Sequence, residues 1–347
     1  MTRARRVLVL AGLAVFLLSS PVVASRVGLA AGTTTPARNA LIRESSTSPY
    51  PLPAPAVEPG ACITLPPGPP GQPLPAPKVP ETSIPIVASP GPRDVSLAVF
   101  KGKGIWVTLF PGQPAKAAGL VKTARRAGLD ALYVRTGSST DGFYGGRLLK
   151  KLVPLAHRYG IAVIAWDFPT LSDPAADAAR AADAFRYGVD AFSTDIEEEP
   201  EGTYLTSRRV AYYLSVVRKE AGSRPVVATV PRPTSLRFAA YPYPAEAPFV
   251  DAFAPMVYWS CTEPGAAVAL AVEVLRPLRP VVPIGEDYDM ASEGGPVGLP
   301  SGAQVWRFVD VAARDGAIGI SLYDLESGGP VQLAALTEYP WPAVAAK

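Results

Sequence analysis

The chain has 347 residues, of which 48% are apolar and 18% charged, with a formal net charge of +3. That length allows one large domain or two small ones, with enough apolar residues to bury a sizeable core. Arg3, Arg5 and Arg6 account for the positive surplus; without them the charge is zero, which excludes the basic surface that nucleic-acid binding uses.

Residues 1–24 read as a signal peptide. The three arginines form a positive n-region, Val7 to Leu18 an apolar h-region, and Pro21 to Ala24 a small-residue cleavage pattern. The apolar run is short for a bilayer span of about 20 residues, so export with cleavage near Ala24 is expected and an uncleaved anchor is the alternative. No cysteine directly follows the h-region, which excludes lipid attachment there, and no later stretch is apolar enough to cross a membrane. The protein is expected to be secreted, or associated with the cell surface or cell wall.

Residues 25–98 read as a proline-rich disordered spacer, with seventeen of the forty prolines between 36 and 92. Proline removes amide donors and holds the backbone near polyproline II, so the segment is expected to be extended and unpacked. It would hold a domain away from a membrane or wall; a ligand for a proline-recognising domain is the other reading. Cys62 stands in the spacer and Cys261 in the domain beyond it. After export they can form a disulfide or remain unrelated, and spacing alone does not decide.

From residue 99 to 347 short apolar runs alternate with amphipathic helical patterns. Strands are predicted at 104–110, 131–137, 162–168, 190–198, 225–231, 252–259, 280–287 and 319–326. Helical patterns follow all of them except the fifth and the last. Gly128, Gly160, Gly188 and Gly222 stop helices just before the next strand. Such alternation implies parallel pairing with right-handed crossovers. Eight units in about 245 residues fit an α/β fold of the (β/α)8 TIM-barrel type, which takes about 250. A doubly wound open sheet is the alternative, weakened because no glycine-rich phosphate fingerprint follows the first strand.

Active sites of such barrels lie at the C-terminal ends of the strands. The fourth predicted strand ends in "STDIEEE", residues 193–199. Strand alternation turns Phe192, Thr194 and Ile196 toward the helices, and Ser193, Asp195 and Glu197 toward the axis. Two inward carboxylates are costly to bury without a partner or a purpose. Glu198, Glu199 and Glu201 are expected in a solvated loop. Trp106, Tyr133, Trp166, Tyr258, Trp259, Tyr288 and Tyr323 lie on or just past strands, where aromatic faces suit sugar rings. Arg135, Glu286, Asp287 and Asp324 complete the candidate mouth.

Other chemistries lack parts. His157 is the sole histidine and ends a helix, where capping or exposure is expected, which excludes Ser–His–Asp, Cys–His and histidine-ligated zinc sites. No calcium-loop pattern appears, so no metal is expected. Paired carboxylates with aromatics are the equipment of glycoside hydrolysis.

Asp190, Ser193, Asp195 and Glu197 occupy the positions of a D-x-x-D-x-D-x-E motif on strand four. Met256-Val257-Tyr258 forms a Met-x-Tyr element on strand six, and Tyr323 stands on strand eight. In these features the chain resembles chitinase-type (family 18) glycoside hydrolases. The resemblance implies Glu197 as general acid, Asp195 as the residue that orients an acetamido group, and Tyr258 as support for the intermediate. Ser193 replaces the motif's second aspartate, and the family's strand-three Ser-x-Gly-Gly is missing. The strand-four Asp-x-Glu also resembles lysozyme-like barrels, and Glu286 at the end of strand seven is similar to the large retaining-hydrolase clan.

The reading is an exported, monomeric, cofactor-free barrel acting on a polysaccharide or cell-wall glycan. Glu197 is its acid, Asp195 or Glu286 its second carboxylate, and Tyr258 its support. Trp106, Tyr133, Arg135, Trp166, Trp259, Asp287, Tyr323 and Asp324 are the expected substrate contacts. A saccharide-binding barrel without turnover is the main alternative, and a wall-anchored scaffold the third.

Overall fold

The computed structural model describes residues 73–113 and 116–342. Residues 1–72, with the expected signal peptide, most of the spacer and Cys62, lie outside the described residues.

Eight parallel strands close into a barrel: β1 (Gly102–Val107), β2 (Ala131–Ser138), β4 (Ala162–Phe168), β5 (Ala191–Asp195), β6 (Val226–Pro231), β7 (Ala252–Val257), β8 (Ile284–Glu286) and β9 (Gly319–Tyr323). Each pairs with its sequence neighbour among these eight, and β1 pairs with both β2 and β9, which closes the circle. A two-residue strand, β3 (Gly142–Phe143), adds an antiparallel hairpin to the end of β2. The TIM-barrel expectation therefore holds. Helices α1 (Ala117–Arg126), α2 (Gly146–His157), α3 (Pro174–Phe185), α4 (Ser207–Ala221), α7 (Pro264–Leu275), α8 (Gly302–Arg314) and α9 (Pro330–Glu338) surround it. Between β6 and β7 stand two short helices, α5 (Ser235–Ala240) and α6 (Tyr243–Glu246). The helix-stop glycines adopt the left-handed backbone that favours this residue, with φ of 58° at Gly128 and 79° at Gly188.

Alternation along the strands divides the core in two. Outward residues such as Leu132, Val134, Phe192, Val230 and Phe253 pack against the helices. Inward residues fill the barrel unevenly: Trp106, Tyr133 and Trp166 on β1, β2 and β4 meet Ala191, Ala252 and Ala254 on β5 and β7. Large side chains on one wall opposed by alanines on the other fill the interior, as close packing requires. Phe100, 2% exposed, belongs to the same interior cluster and closes the N-terminal end of the barrel.

The end of the proline-rich segment departs from expectation. Residues 73–97 are extended apart from a 3-10 turn at Glu81–Ser83, and they lie bonded to the barrel. Val79 N–H donates to Ser172 O (3.0 Å), Arg209 Nη2 to Val79 O (2.5 Å), and Tyr204 OH to Pro75 O (2.7 Å). Arg93 grips the Asp251 carboxylate and donates to Gly222 O (2.8 Å). Proline sets the extended backbone, while the loops around the barrel and α4 supply, from backbone and side chains, the partners it cannot find within itself. The packed unit thus begins by residue 73 and not at 99. Limited proteolysis should accordingly leave a stable core that starts near Pro73. A core trimmed to residue 99 or beyond without loss of thermal stability would contradict this packing.

Candidate active site

The site is built on the C-terminal end of β5. Ser193 lies on the axis side, and its hydroxyl bonds that of Thr229 on β6 (2.7 Å). A hydroxyl pair thus replaces the carboxylate that the family motif has there. Asp195, two residues on, faces the axis at 8% exposure, and its Oδ1 is buried without a hydrogen-bond partner. Burial pushes its carboxyl up to about 7; Arg135 pulls against this and Asp167 adds to it. Glu197 follows at the rim, half-buried, as does Glu198, while Glu199 is exposed. The chain then turns through a single 3-10 turn, Glu199–Glu201, and leaves through Gly202 in a left-handed conformation (φ 93°).

Behind the rim, Tyr241 OH lies 2.7 Å from Ile196 O and 2.8 Å from Glu246 Oε1. Glu246 is fully buried and burial pushes it up to about 8, so it stands as a neutral acid at neutral pH. A neutral Glu246 can donate to Tyr241, leaving the tyrosine proton for the carbonyl that precedes Glu197. This support comes from the irregular β6–β7 connection, and sequence reasoning missed it.

The aromatic side chains form a continuous column. Trp106 stacks on Tyr133 (centroids 4.7 Å, planes 13° apart) and meets Trp166 at 5.3 Å. Tyr323 lies 6.5 Å from Trp166, and 5.8 Å from both Tyr258 and Tyr288. The layer matters. Tyr258, Tyr288 and Tyr323 are partly exposed, whereas Trp106, Tyr133 and Trp166 are at most 2% exposed and make the floor beneath them. Trp106 Nε1 donates to Ser321 Oγ (2.9 Å), a core bond. Tyr258 is the convergence point. Its hydroxyl is held un-ionised by burial first, then by Tyr288, Tyr323, Asp195 and Glu197.

Several expected substrate contacts are engaged elsewhere. Trp259 is fully buried outside the barrel against Phe308 of α8, because alternation that turns Tyr258 inward turns its neighbour outward. Trp106 and Tyr133 lie too deep to touch a ligand at the mouth. Glu286 is 3% exposed and its Oε2 accepts Ser260 N–H (2.7 Å), holding a residue in the left-handed region (φ 48°); burial pushes it up to about 7. Asp287, pushed up to about 8 by burial, accepts Gly329 N–H, and Asp324 accepts Ser327 N–H (3.0 Å) and its hydroxyl. These acids tie down loops. Asp190 lies at the opposite end of β5, where it accepts Val163 N–H (2.7 Å) and pairs with His157 (2.9 Å). Cys261 is exposed and disulfide-bonded.

Among the described residues, no group of three or more His, Cys, Asp or Glu side chains is placed to hold a metal ion. Nor is any described helix long and apolar enough to cross a membrane.

Solved structures of several glycoside hydrolases share this closed (β/α)8 fold. A chitinase from Chromobacterium violaceum superposes with a TM-score of 0.52 at 11% identity, over 68% of this chain and 98% of that one. The Bacillus cereus spore cortex-lytic enzyme SleL gives 0.52 at 13%, over 69% and 74%. A β-galactosidase from the psychrophilic Marinomonas ef1 gives 0.54 at 11%, over 68% and 58%. At these identities the likeness is one of fold. No family model and no curated protein matches the sequence.

Proposed function

We propose that the protein is an exported glycoside hydrolase acting on a polysaccharide or cell-wall glycan. Asp195 and Glu197 are its working pair. The observation that carries this reading is the placement of Asp195 and Glu197 at the C-terminal end of β5, on a mouth where the rings of Tyr258, Tyr288 and Tyr323 meet. Glu197, at the rim, protonates the glycosidic oxygen. Asp195 is the second carboxylate in preference to Glu286, whose oxygen is committed to Ser260. Tyr258 and Tyr323 present rings and hydroxyls to the sugar. Separations of about 5–5.5 Å between the two carboxyls suit retention, and about 6.5–9.5 Å inversion.

The reaction needs a protonated carboxyl at the site, so activity is lost when the last proton leaves. With Asp195 near 7, turnover should fall on the alkaline side of about 7. Asp167 raises Asp195, so Asp167→Asn should move that limb to lower pH. A pH–rate profile checks this; a limb that stays in place or moves to higher pH would contradict it.

Ser193 favours a second reading, a saccharide-binding barrel without turnover, because the hydroxyl supplies no charge beside Asp195. A panel of polysaccharides and wall glycans, assayed for binding and for new reducing ends, separates the two. We also propose that Cys261 pairs with Cys62, the only other cysteine of the chain. Mass analysis of unreduced protein should find the two peptides joined, and separate peptides would exclude the tether.

A further inference from the structure

Arg135 is a cation whose charge acts on Asp195 and which among the described residues forms no ion pair with it. It lies on the axis side of β2, at the residue before a bulge that shifts the register to β4 between Arg135 and Gly137. Its guanidinium lies 4.6 Å from the Phe110 centroid and 5.3 Å from that of Trp166. The residue is 9% exposed, and its Nε is buried without a hydrogen-bond partner. Among the described residues it forms no ion pair. The Tyr144 oxygen, whose proton goes to Leu109 O (2.9 Å), lies beside it as a neutral acceptor.

An arginine this buried ordinarily has a carboxylate partner, since desolvating an unpaired charge is expensive. Arg135 acts on Asp195 through its charge, but the buried Asp195 Oδ1 is unpartnered, so the two are not bonded through that oxygen. Two rings and the Tyr144 oxygen neighbour the guanidinium, and none of them carries the opposite charge. A guanidinium is a two-pronged donor that matches a carboxylate, and a sugar hydroxyl uses only one prong.

We infer that Arg135 forms an anionic subsite that takes a carboxylate carried by the glycan, such as that of a hexuronate or of a lactyl ether on an amino sugar. This rests on the reading of the mouth as a glycan site and narrows it to acidic glycans. Burial beside Phe110 and Trp166 restrains the side chain before the ligand arrives, so little side-chain entropy is lost on binding.

The test is calorimetric binding of the full chain to matched pairs of glycans. One pair is an oligogalacturonate and its carboxyl-reduced counterpart; the other is a muramic-acid-containing peptidoglycan oligosaccharide and its reduced counterpart. At least about a tenfold preference for the acidic member of one pair is expected, the effect of one charge-assisted pair (~1.4 kcal/mol). The pair that shows it identifies the source of the carboxylate. Arg135→Gln should bring the affinity ratio to about one. Arg135→Lys, which keeps the charge but loses the fork, should give an intermediate ratio and serves if the glutamine variant does not fold. Equal affinity for both members, no binding of either acidic glycan, or a preference that survives in Arg135→Gln would overturn the inference. So would an equal loss for both members in that variant, which would make Arg135 a support for Asp195. Acid-selective binding without bond cleavage sinks the hydrolase reading and leaves the subsite standing. Cleavage of both members at equal rates does the reverse.

Discussion

Glu197→Gln is expected to lower turnover by roughly 10²–10⁴ while leaving substrate binding largely intact. Glutamine keeps the shape and hydrogen-bonding reach of glutamate and removes the transferable proton. Asp195→Asn should also lower turnover, because it removes the buried carboxyl whose charge assists its neighbour. Glu199→Gln, on an exposed residue two positions further, should change little. Steady-state kinetics on any hydrolysed glycan provides the check. Unchanged kcat in Glu197→Gln would remove Glu197 from the chemistry.

The second large effect is on stability. Arg180 of α3 is 7% exposed and bridges two buried acids, with Nε 2.5 Å from Asp167 Oδ2 and Nη1 2.8 Å from Asp177 Oδ1. Tyr213 of α4 reaches Asp167 from the other side (3.4 Å). Asp177 also accepts Leu171 N–H (2.8 Å), so the network pins a loop in which Leu171 holds a left-handed φ of 59°. Arg180→Leu leaves two carboxylates buried without their cation, which costs on the order of 3–5 kcal/mol. For a domain of this size that lowers Tm by roughly 10 °C.

The loss should depend on pH. Burial already raises Asp167 to about 6 with Arg180 opposing it. Without the arginine, the folded state holds this proton to still higher pH than the unfolded state does. Between the two pKa values the folded state binds more protons, so stability falls as pH rises. The variant should therefore be closest to wild type near pH 4 and furthest from it near pH 8. Scanning calorimetry at the two pH values measures this. A Tm equal to wild type at both would show that the network contributes nothing.

Much of this architecture was legible in the sequence because two periods carry it. Apolar runs with glycine stops gave the eight strands, and alternation along 192–197 put Asp195 on the axis and Phe192 against the helices. The same alternation, applied to Met256–Trp259, would have turned Trp259 outward. Depth was harder to read. Trp106 and Tyr133 face the axis as expected, but strand tilt and stagger set which layer they occupy, and no local pattern encodes that. The Asp167–Arg180–Asp177 network had a faint signal: Asp177 and Arg180 share a helix face with Ala181 and Ala184, which are fully buried. The packing of residues 73–98 had none, because proline density specifies an extended backbone and says nothing of its partners. Tyr241 and Glu246 lay in an irregular stretch, where only the folded chain brings them behind Glu197.

The most direct test of the account is release of new reducing ends by the purified wild-type protein from polysaccharides and wall glycans, with Glu197→Gln in parallel. The account predicts release by wild type on at least one glycan, with an alkaline limb near 7, and loss of that release in the variant with binding retained. Saturable binding without new reducing ends at any pH would contradict it and leave a barrel that holds glycans without cutting them.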